Sequence, residues 1–350
     1  MGVSLPNRDL VVIGASAGGI EALQQICAKL PPDFNAAILV VMHTSNQSGS
    51  LLPRVLDRAG ALTAVHPENG EPIQRGRIYV ALPDQHMLVE DGRIRNFRGP
   101  RENRHRPAID PTFRSAAVDY GRRVIGVVLT GMLDDGTSGL MVVRAHGGVA
   151  VVQNPETAMF PSMPQSALHR VPDARVADLG DIPGLLVQLV AEELKGAAVP
   201  VVLKGNGDAR AAREIRMAEF DMSEIENDSR NGKPSQFACP ECGGVLWEIE
   251  QEGLLRFRCR VGHAYTARNL RAEQRQQVET ALWSALRALE ENASLYKRMA
   301  DRSRNLRQDQ AARTFDERAF TAMTNSETLR NFLVQVASPE NEADEAAQAV

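Results

Sequence analysis

A serine lies in a glycine-rich turn near the start of the chain, in the sequence Gly-Ala-Ser-Ala-Gly-Gly at residues 14–19. An apolar run at residues 10–13 precedes this turn, and an amphipathic stretch follows from Ile20. A Gly-x-Ser-x-Gly turn between a strand and a helix raises the hydroxyl above the sheet edge, beside the positive end of the helix. The pattern therefore predicts that Ser16 attacks a carbonyl carbon and forms an acyl-enzyme.

The same turn has two other interpretations. Glycine-rich strand-to-helix turns also bind phosphates, but Ser16 replaces the middle glycine that lets a pyrophosphate approach. His43 ends the second predicted strand, where a dinucleotide site would carry its ribose-binding acid. Nucleotide binding and a purely structural turn remain the alternatives to a nucleophile.

A serine nucleophile needs a base and an acid that orients the base. His43 follows the predicted strand at residues 37–42, and Asp134 and Asp135 follow a buried strand at residues 124–129. The carboxyl ends of parallel strands meet at one edge of a sheet, so Ser16, His43 and one of the two aspartates are expected to converge. The chain order serine, histidine, aspartate differs from that of the α/β-hydrolases, which predicts a different fold with the same geometry.

Four residues near the C-terminal part of the chain have the spacing of metal ligands: Cys239, Cys242, Cys259 and His263. Four protein ligands of this kind suit a tetrahedral structural Zn²⁺ and leave no open position for a catalytic one. An unmetallated unit and redox chemistry of the Cys-x-x-Cys pair are the alternatives. The fourth cysteine, Cys27, is predicted to lie in the core.

Strands and helices alternate from residue 8 to residue 196, which predicts an α/β domain. The predicted strands are residues 10–13, 37–42, 77–82, 124–129 and 149–152, with a hairpin at 87–97. The predicted helices are residues 20–30, 51–58, 111–120, 137–145 and 182–194. This alternation indicates a mainly parallel, doubly wound sheet covered by helices on both faces.

The composition changes after this domain. A polar linker is predicted at residues 197–236, and a zinc-ribbon-like Cys₃His unit at 237–266 with a hairpin of strands 245–249 and 254–258. A helical hairpin is predicted at residues 267–337 and a disordered acidic tail at 338–350.

Two stripes of mainly apolar residues recur at alternating intervals of four and three, which predicts an antiparallel helical hairpin. The first stripe is Val278, Leu282, Ala285, Leu289, Asn292, Tyr296 and Met299, and the second is Phe315, Ala319, Ala322, Ser326, Leu329 and Leu333. The two helices either bury only each other or mediate self-association or docking to a signalling protein. In an association of that kind, Asn292 would fix the register.

The composition excludes several classes of function. The 350 residues carry a net charge of −4, so we expect no nucleic-acid partner. No apolar run reaches about 18 residues and no secretory pattern begins the chain, so we expect no membrane insertion. Cysteines with metal-ligand spacing indicate a reducing compartment, and the predicted location is the cytoplasm.

Together these motifs resemble the catalytic domain of the chemotaxis protein-glutamate methylesterase CheB, over about residues 9–194. The motifs that carry the resemblance are the 14–19 turn, Thr130-Gly131-Met132 with Asp135-Gly136, Asn-Arg-His-Arg-Pro at 103–107, Gln-Asn-Pro at 153–155, and Met163-Pro164. That family hydrolyses γ-glutamyl methyl esters on chemoreceptors, releases methanol, and deamidates certain receptor glutamines. The resemblance therefore implies a methylated chemoreceptor or a related signalling protein as substrate, with no cofactor needed for catalysis.

The resemblance also implies roles for individual residues. Ser16 is the nucleophile, His43 the base and Asp135 the orienting acid. Asp134 is then expected to face solvent or to cap the following helix.

Two further sets of residues are expected around this site. The backbone N–H groups at Ala17 and Met132 are the candidate oxyanion donors. The basic segment with Arg104, His105 and Arg106 is either a solvated loop or a rim that attracts a glutamate-rich substrate. Because the family's basic segment lies near the active site, His105 could also contact the triad.

Three features depart from the family pattern. Leu133 stands where a glycine is usual, and Thr44-Ser45 follow His43 where Met-Pro is usual, so both positions bear on substrate fit. Because the first strand begins near residue 10, we expect no N-terminal receiver domain and no regulation by its phosphorylation. The alternative to an enzyme is a signalling scaffold that acts through the Cys₃His unit and the helices.

Overall fold

The computed structural model describes residues 7–43, 51–194, 212, 214–216, 232–251 and 253–336. The chain divides into two compact units, Met1–Leu270 and Arg271–Val350. Most of the predicted linker and the whole predicted tail lie outside the described residues, and the finer domain boundaries stay predictions. Within the described residues, no helix combines the length and the apolar composition that crossing a membrane requires.

The first unit is built around a parallel sheet. Its strands and an adjacent hairpin are β1 (Leu10–Ala15), β2 (Ala37–Met42), β3 (Thr63–Val65), β4 (Arg77–Val80), β5 (His86–Glu90), β6 (Arg93–Phe97), β7 (Val124–Val128), β8 (Val149–Gln153) and β9 (Arg175–Ala177). Seven of these described strands form the sheet, in the order β3-β4-β2-β1-β7-β8-β9, and all its pairings are parallel. β5 and β6 form a separate antiparallel hairpin. The predicted α/β class is confirmed.

Helices cover both faces of the sheet. They are α1 (Gly19–Lys29), α2 (Leu52–Ala59), α3 (Ile109–Tyr120), α4 (Thr137–Ala145), α5 (Ser162–Arg170) and α6 (Ile182–Ala191). Successive side chains of a strand point to opposite faces. Leu10 and Val12 accordingly join the core on the side of α3 and α4, whereas Val11 and Ile13 join the core on the side of α1. Burial on both faces explains why β1 is apolar throughout.

The chain reverses direction across the sheet at β1. From β1 it builds outward through β2 and later β4, and then returns to place β7 on the other side of β1. At such a switch point the connections leave the sheet in opposite directions and open a crevice at the carboxyl ends of the strands. The turns after β1, β2 and β7 therefore face one another.

A small antiparallel sheet, which we call the Cys–His sheet, completes the first unit. It consists of β10 (Lys233–Ala238), β11 (Val245–Gln251), β12 (Leu254–Cys259) and β13 (Ala264–Thr266), paired in that order. Leu246, Phe257 and Tyr265 lie in its core. The predicted hairpin corresponds to β11 and β12, which pair from Leu246↔Cys259 to Gln251↔Leu254.

Two long helices, α7 (Ala267–Asn305) and α8 (Asp309–Val336), follow the small sheet. In the second unit they run antiparallel, because the rings of Tyr296 and Phe315 stack at 6.4 Å and Arg304 pairs with Asp316 at 2.6 Å. The second predicted stripe is confirmed, since all six of its residues are buried or half-buried.

The first predicted stripe is wrong at every second position. Leu282, Leu289 and Tyr296 are half-buried as expected, but Val278, Ala285, Asn292 and Met299 are exposed. The structure buries Leu286, Ala293 and Ala300 in their place. The four exposed positions and the three buried ones each repeat every seven residues. The buried set places two alanines, Ala293 and Ala300, at the contact between the helices. Asn292 therefore does not lie in the seam.

Candidate active site

Ser16 lies in the turn between β1 and α1. Gly18 adopts a left-handed conformation with φ of 72°, which glycine tolerates without strain, and α1 begins at the next residue. The backbone N–H of Ser16 donates to the carbonyl of Thr130 at 3.0 Å, which ties this turn to the loop after β7. The predicted strand–turn–helix arrangement is therefore present.

His43 joins Ser16 to Asp135. His43 Nδ1 lies 3.1 Å from Ser16 Oγ, and His43 Nε2 lies 2.7 Å from Asp135 Oδ2. The side chains of His43 and Asp135 are only 5% and 2% exposed. With the ring proton on Nε2, donated to the carboxylate, Nδ1 is left to accept the proton of the serine hydroxyl. The structure thus brings together the three residues whose convergence the strand ends predict.

Asp135 receives several hydrogen bonds besides that of His43. The backbone N–H of Ile109 donates to Oδ2 at 2.7 Å, and the Asn103 side-chain amide donates to Oδ1 at 2.9 Å. Burial alone would raise the pKa of Asp135, but the hydrogen bonds from His43 and from the Ile109 N–H outweigh it and lower the pKa to about 2. Asp135 is therefore an anion at neutral pH and a fixed acceptor for His43.

A second buried carboxyl lies beside the first. Asp110 accepts hydrogen bonds from the backbone N–H of Gly139 at 2.6 Å and from the Asn103 amide at 2.9 Å. Burial, followed by the charge of Asp135, raises the pKa of Asp110 to about 8. The two carboxyls thus differ in charge at neutral pH, because burial and then the neighbouring anion keep Asp110 protonated.

His105 stacks on His43. Their ring centroids are 3.5 Å apart and their planes differ by 8°. Burial, followed by the charge of His43, lowers the pKa of His105 to about 3, so His105 is neutral at neutral pH. A neutral ring in this position restricts the rotation of His43 without adding a competing charge. The sequence interpretation that His105 contacts the triad is thereby supported.

The loop after β7 approaches Ser16 closely. A Cβ on Gly131 would lie 2.8 Å from Ser16 Cβ and 2.2 Å from Met163 Sδ, so only glycine fits there. Among the described residues, neither the N–H of Ala17 nor that of Met132 donates to a protein acceptor. Ala17 follows Ser16 in the turn and Met132 follows Gly131 in the loop, and their role as oxyanion donors stays a prediction.

The basic segment is partly engaged within the chain. Arg106 donates to Asp84 at 2.5 and 2.7 Å and to the carbonyl of Gly99 at 2.7 Å. Arg104 is half-buried and has a left-handed φ of 73°. Contact of Arg104, His105 and Arg106 with a substrate stays a prediction. Thr44 and Ser45 lie outside the described residues.

The expectation for Asp134 is wrong. Asp134 is 3% exposed, and its Oδ1 accepts hydrogen bonds from Thr266 Oγ1 at 2.8 Å and from the Asn269 side-chain amide. Burial raises the pKa of Asp134 to about 6. Its partners come from β13 and the start of α7, more than 130 residues further along the chain. No pattern around Asp134 itself could have indicated them.

Leu133 has a left-handed backbone with φ of 63°. This conformation costs a residue with a Cβ roughly 1–2 kcal/mol, which explains why glycine suits the position. The hydroxyls of Ser162 and Ser166 donate to the Leu133 carbonyl at 3.1 and 3.2 Å. These bonds hold the strained residue in place.

The four predicted metal ligands lie together. Their ligand atoms, three sulfurs and one imidazole nitrogen, all lie within 4.8 Å of one another. Together they offer the four ligands of a tetrahedral site. Cys242 Sγ lies 3.7 Å from Cys259 Sγ, far longer than a disulfide of about 2.05 Å. His263 Nδ1 lies 3.5 Å from Cys259 Sγ, while its Nε2 faces Glu241 at 3.5 Å. The cluster could hold a metal ion, with Glu241 orienting the imidazole.

One residue of the site was not singled out by the sequence reasoning. Asn103 bridges Asp135 and Asp110 through its side-chain amide. Its only signal is its place at the start of the basic segment, where a buried role is not distinguishable from a solvated loop. The buried core position predicted for Cys27 is confirmed.

Comparisons with known proteins agree with this geometry. A family model described as CheB methylesterase matches residues 11–186. The crystal structure of the Thermotoga maritima CheB methylesterase catalytic domain superposes with a TM-score of 0.50 at 35% identity, and it covers 52% of this chain and 98% of that one. The likeness is confined to the part of the chain that carries Ser16, His43 and Asp135.

Curated relatives match the same part of the chain. A Leptospira interrogans protein, named provisionally as a protein-glutamate methylesterase/protein-glutamine glutaminase, is 37% identical over 190 residues, which are 54% of this chain and 98% of that protein. Proteins of that name from Anaeromyxobacter dehalogenans and Symbiobacterium thermophilum are 36% and 35% identical and share 52% and 55% of this chain. The chain spans about half the length of these last two relatives, 53% of each.

Proposed function

The chain belongs to the CheB methylesterase family, and from that premise we propose that it hydrolyses γ-glutamyl methyl esters on a chemoreceptor or a related signalling protein. The observation that carries the proposal is the hydrogen-bonded series Ser16–His43–Asp135 at the carboxyl edge of the sheet. A nucleophile, a base and an orienting anion in contact are what acyl transfer requires. The printed names of the relatives include glutamine deamidation, which the same residues could perform with ammonia as the leaving group.

In the proposed reaction, Ser16 Oγ forms a bond to the ester carbonyl carbon while its proton passes to His43 Nδ1. The C–O bond to the methoxy group then breaks, and His43 returns the proton to that oxygen, so methanol leaves. Water attacks the acyl-enzyme, gives one proton to His43 and releases the glutamate side chain, and the proton returns to Ser16. The N–H groups of Ala17 and Met132 would stabilise the oxyanion, each by about 3 kcal/mol.

The decisive experiment measures methanol release from a methyl-esterified receptor fragment by the wild type and by Ser16→Ala. We expect a rate loss of about 10⁴-fold or more in the variant, because the remaining groups bind and polarise but cannot form the acyl-enzyme. Ser284→Ala is the matched control, since Ser284 is an exposed helix residue whose hydroxyl donates to the carbonyl of Thr280 one turn earlier in the same helix. Equal rates for Ser16→Ala and wild type would contradict the proposal.

Labelling of Ser16 by a fluorophosphonate separates substrate choice from chemistry. A wild type that is labelled at Ser16 but releases no methanol would have a competent triad and a narrower substrate. A folded wild type that is neither labelled nor active would favour the scaffold alternative, in which the Cys–His sheet and helices carry the function.

We further propose that the Cys–His cluster binds one structural Zn²⁺. A tetrahedral site with Zn–S bonds of about 2.3 Å has S···S edges of about 3.8 Å, and the Cys242–Cys259 separation of 3.7 Å fits this value. The metal would cross-link the turn between β10 and β11, the end of β12 and the turn before β13, and would supply no reaction step. Metal analysis of the purified protein should give about one zinc per chain, lost in Cys242→Ser and retained in Ser235→Ala. A zinc-free wild type that also fails to take up added Zn²⁺ would contradict this assignment.

A further inference from the structure

A tight turn at residues 101–105 supplies two of the groups that contact the triad. The backbones of Glu102 and His105 bond each other in both directions at 3.2 and 2.9 Å. Between them, Asn103 reaches Asp135 at 2.9 Å, and the His105 ring lies on that of His43. The position of this turn therefore decides the position of both the base and the acid.

The side-chain amide of Asn103 has a single orientation that satisfies all its neighbours. Its two N–H groups donate to Asp110 and Asp135, each at 2.9 Å. Its oxygen accepts the backbone N–H of Thr266 at 3.0 Å. A backbone N–H can only donate, so Thr266 requires the oxygen on its side and thereby turns the two N–H groups toward the carboxyls. The residue that sets this orientation belongs to β13 of the Cys–His sheet.

The same sheet also holds the backbone of the turn. Ala264 accepts from the Asn103 N–H at 2.8 Å and donates to the Arg101 carbonyl at 3.2 Å. The buried Glu102 carboxylate lies between Arg114 of α3 at 2.7 Å and Arg258 of β12 at 3.1 Å. All three charges are at most 4% exposed, so the pairings are made without competing water. Backbone pairing and buried charge thus fix the 101–105 turn to β12 and β13.

The start of α7 holds the other side of the triad acid. Thr266 and Asn269 bond Asp134, the residue next to Asp135. Arg268 donates to Ser166, whose hydroxyl donates to the carbonyl of the strained Leu133. Residues 264–269, which we call the support segment, therefore contact both the turn that carries Asn103 and the loop that carries Asp135.

The support segment begins directly after a metal ligand. His263 precedes Ala264, and its carbonyl accepts the N–H of Cys259 at 2.9 Å. Arg258 also donates to the carbonyl of Gly262 at 3.0 Å. The geometry of the four-ligand cluster consequently sets where β13 begins and where Thr266 lies.

We propose that Asn103 is a positioning residue for Asp135, and that the Cys–His sheet acts on the esterase site by holding Asn103 through the support segment. The proposal rests on the triad of the proposed function. It gives the sheet a role in catalysis through its hydrogen bonds to the 101–105 turn and to Asp134. The loss of the sheet's geometry is expected to reduce turnover while the parallel sheet stays folded.

A double-mutant cycle in the full-length protein tests the first half. Asn103→Ala should slow fluorophosphonate labelling of Ser16 and lower kcat with little change in KM, by about 100-fold, since a shift of the acid by about 1 Å costs that much. In an Asp135→Asn background the same substitution should change the rate by less than about threefold, because Asn103 acts through Asp135. Equal losses in both backgrounds, with unfolding midpoints unchanged, would overturn the proposal.

An isosteric variant guards against a loss of packing alone. Asn103→Asp keeps the shape and the acceptor for Thr266 but removes both N–H donors. If Asn103 positions Asp135, Asn103→Asp loses at least as much labelling rate as Asn103→Ala. If Asn103 only fills space, Asn103→Asp is the milder variant, and the proposal fails.

Substitution of a metal ligand tests the second part of the proposal, that the Cys–His sheet holds Asn103 in place. Cys242→Ser, with metal content and thermal unfolding measured on the same sample, should slow Ser16 labelling by about tenfold or more when the metal is lost. Ser235→Ala should leave metal content and labelling unchanged, since the Ser235 hydroxyl donates to the carbonyl of Leu246 and accepts the N–H of Phe237, both within the same sheet and away from the support segment. Metal loss with full labelling would overturn the role of the sheet. A wild type that is never labelled would instead contradict the proposed function.

Discussion

The Cys–His sheet and the helical hairpin both lie outside the matched family domain, yet they are built in opposite ways. The sheet is joined to the rest of its unit by buried polar groups: Glu102, Arg256 and Arg258 are each at most 4% exposed. The hairpin has a seam of mostly alanines and leaves large apolar side chains outside, with Phe320 72% and Trp283 52% exposed. Buried hydrogen bonds and ion pairs are satisfied in few relative positions of the two elements that they join. Contacts between alanines have no direction and allow more than one relative position of the two helices. The difference indicates that the sheet fixes a geometry and the hairpin presents a surface.

The largest expected effect is the loss of methanol release when a residue of the triad is replaced. Asp135→Asn should lower the rate of methanol release by about 10,000-fold without unfolding the protein, because the variant no longer holds His43 in the correct tautomer. Asp173→Asn is the control, since Asp173 pairs with Arg144 at the surface. A loss below tenfold would mean that the rate does not depend on the fixed position of His43 and Asp135. The contrast between a sheet that fixes this position and a hairpin that does not would then no longer hold.

A substitution in the hairpin seam should have a smaller effect, and only on stability. Leu286→Ala removes a side chain that is 5% exposed, and should destabilise the hairpin by about 2 kcal/mol or more. Amide hydrogen exchange in α7 and α8 should accelerate, while Ser16 labelling stays within about twofold. Leu295→Ala, at a position 54% exposed on the same helix, should change neither quantity. A large loss of labelling in Leu286→Ala would break the comparison.

The pH dependence of stability isolates one contact of the support segment. Burial raises the pKa of Asp134 from its ordinary value near 3.8 to about 6, so between these values the unfolded chain loses its proton first and stability falls as pH rises. Asp134→Asn keeps an acceptor for Thr266 and Asn269 without this titration. The variant should match the wild type near pH 4 and exceed it above pH 6 by on the order of 2 kcal/mol.

Thermal or denaturant unfolding between pH 4 and pH 8 checks this expectation. Asp110 and Asp135 titrate in both proteins, so the difference between them reports Asp134. A difference that grows as pH falls would have the wrong sign, and would indicate that the hydrogen bonds from Thr266 and Asn269 stabilise an ionised Asp134 and lower its pKa.

The residues that follow the strands could be placed from the sequence, because each buried parallel strand is a short apolar run that can be recognised locally. Apolar runs followed by Ser16, His43 and Asp135 place all three at one edge, whatever the details of the loops. β3 and β9 were not predicted, since three residues at a sheet edge carry too little periodicity. The helix α5 was also not predicted, although the sequence Met163-Pro164 lies within it.

Long-range polar contacts were not predictable in the same way. Asn103 and Thr266 are 163 residues apart, and neither sequence neighbourhood indicates the other. The stripe on α7 failed for a related reason: Ala285 and Leu286 both repeat with the heptad, and only the partner helix selects between them. The spacing of apolar residues in the sequence locates a helix or strand. Which of two similar faces is buried depends on the element that packs against it.

The distance along the chain between the esterase sheet and its support segment also sets an order of events during synthesis. The last helix of the sheet domain ends at Ala191, and the support segment follows roughly 70 residues later, which a ribosome adds in about 4 to 14 s at 5–20 residues per second. The triad residues are therefore complete in the nascent chain before Thr266 exists to orient Asn103. If the Cys–His sheet acts as proposed, an incomplete chain that ends before the support segment would label at Ser16 about tenfold or more slowly than the finished protein.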